Sequence, residues 1–155
     1  MSGTSIVVGV DETESSRRAL RWAASEAVRR GAELHVVTAW TPDGGGDASL
    51  TATEPTRLMR LAEDAQRRAV EEVVERMDPR PLVTREIVRA TPVDALAEAS
   101  RKADLVVVGT HGRGPVRSFL LGSVSLSVIK HAACPVVVMP PLHAGGADDV
   151  AGASD

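Results

Sequence analysis

Leu105-Val106-Val107-Val108-Gly109-Thr110-His111-Gly112-Arg113-Gly114-Pro115-Val116-Arg117-Ser118-Phe119-Leu120-Leu121-Gly122-Ser123-Val124-Ser125 sets an apolar run before a glycine-rich loop. A helix-like run then continues to His131. Four consecutive aliphatic residues read as a buried strand. A glycine-rich loop between strand and helix can turn backbone N–H groups toward an anion. The following helix start adds unsatisfied donors and partial positive charge. Ordinary turn glycines are the plain alternative. The spacing G-x2-G-x9-G-S is not that of a phosphate loop of the G-x4-G-K-[ST] type, and no such match exists in the chain.

The same alternation extends in both directions. Ile6 to Val10 reads as a first strand, with Asp11 ending it and able to cap the next helix. Arg17 to Arg30 reads as a helix stopped by Gly31, and Leu34 to Ala39 as a second strand. Thr41 to Pro55 is rich in Gly, Asp, Thr and Pro and reads as a loop. Arg57 to Met77 carries an apolar stripe of Leu58, Leu61, Ala65, Ala69 and Val73. Its wet side offers the i,i+4 pairs Glu63/Arg67 and Asp64/Arg68. Leu82 to Val88 is the third strand and Pro92 to Lys102 the third helix, with proline in its first turn. Gly122 to Ala132 is the fourth helix and Pro135 to Met139 the fifth strand. Strands alternating with helices, and apolar without a two-residue period, indicate an α/β fold: a parallel sheet covered on both faces. Strand orders 2-1-3 and 3-2-1-4-5 both place a switch point beside the first strand. In the second order a ligand sits at the ends of strands one and four, near Asp11 and Gly109.

With 155 residues the chain suits one domain, assigned to residues 1–140, and the Gly/Ala/Asp/Ser-rich residues 141–155 read as a disordered tail. A formal net charge of −3 provides no basic field for a nucleic-acid backbone, and 2% aromatic residues leave few stacking platforms. Nucleic acid is therefore not an expected partner. No apolar run approaches the length of a membrane span, and the first residues do not resemble a signal peptide. The single cysteine, Cys134, excludes an intramolecular disulfide and fits a cytoplasmic location. It reads as a small packed residue rather than a nucleophile. His35, His131 and His143 lack metal-ligand spacing, so no metal site is assigned to the protein itself.

The glycine spacing, with Ile6-Val-Val-Gly9-Val10-Asp11-x-x-x-Ser15, Leu34 to Ala39 and Cys134 to Met139, resembles the ATP-binding type of the universal stress protein family. The likeness runs from Ser5 to Pro140. It implies an open five-stranded parallel sheet of order 3-2-1-4-5, adenine nucleotide alpha hydrolase-like, with helices on both faces. By the same resemblance Gly9, Val10 and Asp11 line the nucleotide, and the backbone of Ala39 meets adenine. Val108 and Gly109 flank ribose and adenine. Thr110, His111, Gly112 and Arg113 belong to the phosphate loop. Gly122, Ser123, Val124 and Ser125 supply donors at the helix start. The ligand implied is ATP, with Mg2+ or Mn2+ held mainly by its phosphates. A homodimer through the fifth strand is implied as well. Glu12 and Thr13 depart from the usual Gly-Ser, and Ala90 stands where a glycine is common.

Several residues keep two readings. Asp11 can contact ribose or a nucleotide-bound metal, or cap a helix. Ser123 and Ser125 can ligate phosphate, cap a helix, or do both. Arg113 and Arg117 can reach phosphates or stay solvated. His111 has no visible acid–base partner. Phosphoryl transfer needs a positioned nucleophile and charge neutralisation. No catalytic residue is assigned, because the loop carries neither a phosphate lysine nor a recognisable base. The expected function is an ATP-binding regulator in stress response, without efficient turnover. A slow ATPase or autophosphorylating protein is the first alternative, and a nucleotide-free dimeric interaction module the second.

Overall fold

A computed structural model describes residues 3–43, 54–110 and 121–140. The expected tail, 141–155, lies outside the described residues, as do His111, Gly112, Arg113 and Arg117 and most of the loop that follows the second strand.

Strands β1 (Ser5–Gly9), β2 (Glu33–Trp40), β3 (Val83–Arg89), β4 (Leu105–Gly109) and β5 (Val136–Met139) form one five-stranded sheet of order β3-β2-β1-β4-β5. All neighbours pair in parallel, with Val8 opposite both Val36 and Val107. Helices α1 (Glu14–Arg30), α2 (Pro55–Val73), α3 (Pro92–Ser100) and α4 (Ser123–His131) alternate with the strands.

Successive strand residues point to opposite faces, and both faces of the central strands are covered. Ile6 and Val8 of β1 pack with Ala19, Leu20, Ala23 and Ala27 of α1 and Ala69, Val70 and Val73 of α2. Val7 packs the other way, with Leu96 of α3 and Val128 of α4. This two-sided burial is why β1 and β4 read as unbroken aliphatic runs. β3 differs, because it is an edge strand and Thr84, Arg85 and Glu86 stand exposed.

Helix α1 begins earlier than the apolar spacing indicates. Its N-cap is Thr13, whose side chain accepts from the Ser16 amide, so the polar residues Glu14 to Ser16 form its first turn. Gly31 ends it at φ 62°, a left-handed conformation that glycine adopts without a Cβ clash. In α2, Leu58, Ala65, Ala69 and Val73 are buried as expected, but Leu61 is 39% exposed. Gln66 and Val70 widen the buried face on its other flank. At 100° per residue Leu61 then lies roughly 100° from the centre of that face. The charged side of α2 also pairs differently: Arg67 bridges Asp64 at 2.9 Å and Glu71 at 3.8 Å.

Candidate functional site

The sheet order reverses its direction of growth at β1. From β1 the chain proceeds outward to β2 and β3, whereas β4 and β5 lie on the other side. In an open parallel sheet such a reversal makes the carboxyl ends of β1 and β4 the expected place for a ligand crevice. Continuing the register Val8↔Val107 by two residues sets Val10 opposite Gly109.

At the β1 side, the backbone is held one residue past the strand. The Val10 amide donates to Val37 O at 2.9 Å, and Val10 O accepts from the Thr38 hydroxyl at 2.8 Å. Asp11 is then fixed by the start of α1. Its amide donates to Ser16 Oγ at 3.1 Å, and its Oδ1 accepts from the amide of Thr13 at 2.8 Å and from the Thr13 hydroxyl. Asp11 is thus not the helix cap; it forms an Asx-type turn that presents the capping Thr13. Both bonds to the Asp11 carboxylate fall on Oδ1, which fixes the carboxylate against the start of α1. The side chain of Val10 is buried, and what it offers to the crevice is backbone.

At the β4 side, Val108 is buried in the α3/α4 core. Gly109 is required by packing: a Cβ there would lie 2.2 Å from Ser15 Oγ and 2.8 Å from the Ser15 carbonyl carbon. Its missing side chain lets the first turn of α1 close onto β4. Gly9 is tight in a milder way, with a Cβ falling 2.9 Å from the Leu96 side chain.

Thr110 and Gly122 stand on either side of residues 111–120, and they are joined. Thr110 O accepts from the Gly122 amide at 2.8 Å and from the Ser125 hydroxyl at 3.1 Å. The Thr110 hydroxyl donates to Met139 O at 2.7 Å, tying the ends of β4 and β5 together. Ser125 is buried, with its hydroxyl directed inward to this bond. Ser123 is exposed, and Val124 is half-buried against the α3/α4 core.

The helix starts are not equivalent. Thr13 caps α1, and Thr91 caps α3 by accepting from the Asp94 amide. Gly122 at the start of α4 supplies no side-chain cap, and neither does Glu54 at the start of α2. A helix start carries partial positive charge from its first-turn amides. Ala39 lies near the end of β2, with Val88 as its β3 neighbour. The structure thus brings Gly9, Val10, Asp11, Ala39, Val108, Gly109, Thr110 and Gly122 to Ser125 to one end of the sheet.

Sequence reading missed Thr38, Gln66 and Ser16, and it took Ser15 only as part of the opening motif. A glutamine inside the apolar stripe of α2 was a usable signal for one of them. The contact of Ser15 with Gly109 left no signal, because it joins residues distant in the chain.

Among the described residues no group of three His, Cys, Asp or Glu could hold a metal ion. His35 Nε2 lies 2.9 Å from Glu86 across β2 and β3. Burial, with the Asp104 charge, pushes the Cys134 thiol up from its ordinary value. No helix among the described residues is long and apolar enough to cross a membrane.

Comparison with known proteins agrees with this architecture. The chain is 37% identical over 144 residues to universal stress protein Rv2623 of Mycobacterium tuberculosis, covering 89% of this chain and 48% of that protein. The chain thus spans about half the length of the curated relatives it matches. A universal stress protein whose crystal structure was determined with cAMP is 30% identical, covers 90% of this chain and 98% of its own, and superposes with a TM-score of 0.56. The universal stress protein of Archaeoglobus fulgidus in complex with dAMP is 26% identical, with 89% and 98% coverage and a TM-score of 0.53. The family model described as "Universal stress protein family" matches residues 4–140, and the chain belongs to that family.

Proposed function

We propose that this chain binds ATP in the crevice between β1 and β4 and acts as a nucleotide-dependent regulator in stress response. What supports the reading is that the Val10–Asp11 turn and the α4 start, which has no side-chain cap, lie at the same end of the sheet. The first is suited to a ribose hydroxyl or a nucleotide-bound cation, the second to phosphate. Family members solved with cAMP and dAMP support an adenine nucleotide as the ligand class. The G-x2-G-x9-G-S spacing favours a triphosphate.

Gly9, Val10 and Asp11 line one wall, and the backbone of Ala39 faces the base. Val108, Gly109 and Thr110 form the opposite wall. His111, Gly112 and Arg113 contribute to the phosphate loop, while Gly122, Ser123 and Val124 supply backbone donors. Ser125 serves the site by tying the first turn of α4 to Thr110 at the end of β4. Mg2+ or Mn2+ is carried mainly by the phosphates, with the Asp11 carboxylate as the candidate protein contact. The protein works in the cytoplasm as a homodimer joined through β5.

Calorimetry with Mg·ATP tests the site. Gly122 has φ −62° and ψ 160°, which any L-residue adopts, so the backbone conformation admits Gly122→Val, and circular dichroism checks its fold. Its isopropyl group crowds the donors, and ATP affinity falls at least tenfold. Unchanged affinity in a folded Gly122→Val protein removes the α4 start from the site, and a wild-type chain indifferent to adenine nucleotides overturns the reading.

The autophosphorylating alternative has one specific observation in its favour. Ser123 is exposed at the first position of α4, whereas Ser125 is buried and bonded. Phosphopeptide mapping after incubation with ATP finds phosphate on Ser123 if that alternative holds. Phosphate release at about 1 s⁻¹ or faster would instead make the protein an enzyme.

A further inference from the structure

Gln66 is a polar residue on the buried face of α2, only 2% exposed. Its Nε2 lies 3.1 Å from Val36 O, 2.9 Å from Glu86 O and 3.1 Å from Thr38 Oγ1. The amide thus reaches carbonyls of both β2 and β3 and the hydroxyl between them. Thr38 is also buried, and its hydroxyl has one proton, which goes to Val10 O at 2.8 Å. The two Gln66 N–H protons are shared among three acceptors, and the bonds through Thr38 run in one direction: Gln66 N–H to Thr38 O–H to Val10 C=O. Each donor in such a chain is polarised by the one behind it, and low local dielectric strengthens the effect.

Its end point matters. β1 ends at Gly9, and Val10 carries the chain into Asp11. A residue just past a strand ordinarily frays. Here both backbone groups of Val10 are tied to β2, the amide through Val37 O and the carbonyl through Thr38. Burying a glutamine amide in an apolar helix stripe is costly unless its hydrogen bonds are made. A leucine at position 66 would fill the same stripe without that cost.

We infer that Thr38 and Gln66 are positioning residues: a buried relay from α2 through β2 that fixes the Val10–Asp11 wall of the crevice. Its consequence for affinity rests on the nucleotide-binding reading; its consequence for the backbone does not. The experiment therefore uses both, on the full chain, with Thr38→Val, Thr38→Ser and Gln66→Leu. Thr38→Val keeps the shape and removes the hydroxyl, while Gln66 retains Val36 O and Glu86 O as acceptors. Thr38→Ser keeps the hydroxyl.

Without nucleotide, hydrogen exchange at the Val10 and Asp11 amides speeds up about tenfold in Thr38→Val and stays near wild type in Thr38→Ser. Gln66→Leu leaves the Thr38–Val10 bond in place without its donor, so its effect is smaller, about two- to threefold. With Mg·ATP as the probe, Kd rises about tenfold in Thr38→Val and is rescued in Thr38→Ser. A general loss of packing would move Thr38→Ser as well and would spread beyond Val10 and Asp11. Wild-type exchange at Val10 and Asp11 in Thr38→Val overturns the relay, as does a larger local effect in Gln66→Leu than in Thr38→Val. Local exchange that responds as expected in a chain that binds no nucleotide upholds the relay and overturns the nucleotide reading alone.

Discussion

Gly109 and Gly9 end neighbouring central strands at the crevice, yet substitution meets different obstacles at each. At Gly109 an added Cβ confronts Ser15, including its backbone carbonyl carbon at 2.8 Å and oxygen at 2.9 Å. The first turn of α1 must then move, and overpacking of that kind costs about 1–3 kcal/mol. At Gly9 the obstacle is the tip of the Leu96 side chain, which can change rotamer. Gly109→Ala is therefore expected to lower the urea midpoint clearly, and Gly9→Ala to lower it by less than half as much. Equal midpoints for the two variants would contradict the close approach of α1 to β4. The glycine that opens the signature thus has a packing role that its place in a glycine-rich loop does not reveal.

Elements differ in how their ends are closed. α1 combines Thr13 as cap, Glu14 in its first turn, Arg29 and Arg30 in its last and Gly31 beyond it. These choices agree with the helix dipole at both ends. α4 shares the basic C-terminal turn, Lys130 and His131, but starts on Gly122 without a side-chain cap. Thr13 and Thr91 cap α1 and α3, whereas α2 and α4 start on Glu54 and Gly122 without a side-chain cap. Thr13→Ala tests the capped end. Loss of the cap costs about 1 kcal/mol, within a range of about 0.5–2 kcal/mol. It also removes the Thr13 hydroxyl from Asp11 Oδ1. Denaturation is expected to show the loss in stability, and a midpoint identical to wild type would argue against Thr13 as the cap.

At the scale of the molecule the sheet has unlike edges. β3 exposes Thr84, Arg85 and Glu86, and charge discourages a further strand. β5 is Val136-Val-Val-Met139, half-buried along its length, and the adjacent α4 leaves Leu126 and Ile129 43% and 44% exposed. An apolar edge beside an apolar helix face is what an isologous dimer would cover. Light scattering at tens of micromolar is expected to give twice the chain mass. Val137 packs against the α1 core, so a charge there perturbs fold and interface together. Ile129→Lys acts on the exposed face alone and shifts the protein toward monomer with its circular dichroism unchanged. A monomeric wild type would defeat the dimer and leave nucleotide binding untouched.

The order of elements was legible in the chain because each carries its own local signal. The runs at Ile6, Leu34, Leu105 and Pro135 are aliphatic, the helices have their period, and Gly31 and Pro92 punctuate them. The position of the crevice followed once the strand order was set, and that order came by resemblance. Periodicity alone left 2-1-3 and 3-2-1-4-5 open, since it describes each segment and not which strand lies beside which. Boundaries shifted where polar side chains replace apolar spacing, as at Glu14 to Ser16, where the cap and not the core starts the helix. Only the tertiary structure decided that Gly109 faces Ser15, that Ser125 turns inward to Thr110, and that Gln66 reaches Val10 through Thr38. These contacts join residues far apart in the chain. Their energy appears only after the sheet has brought the partners together, so nothing in the local sequence of either partner records it.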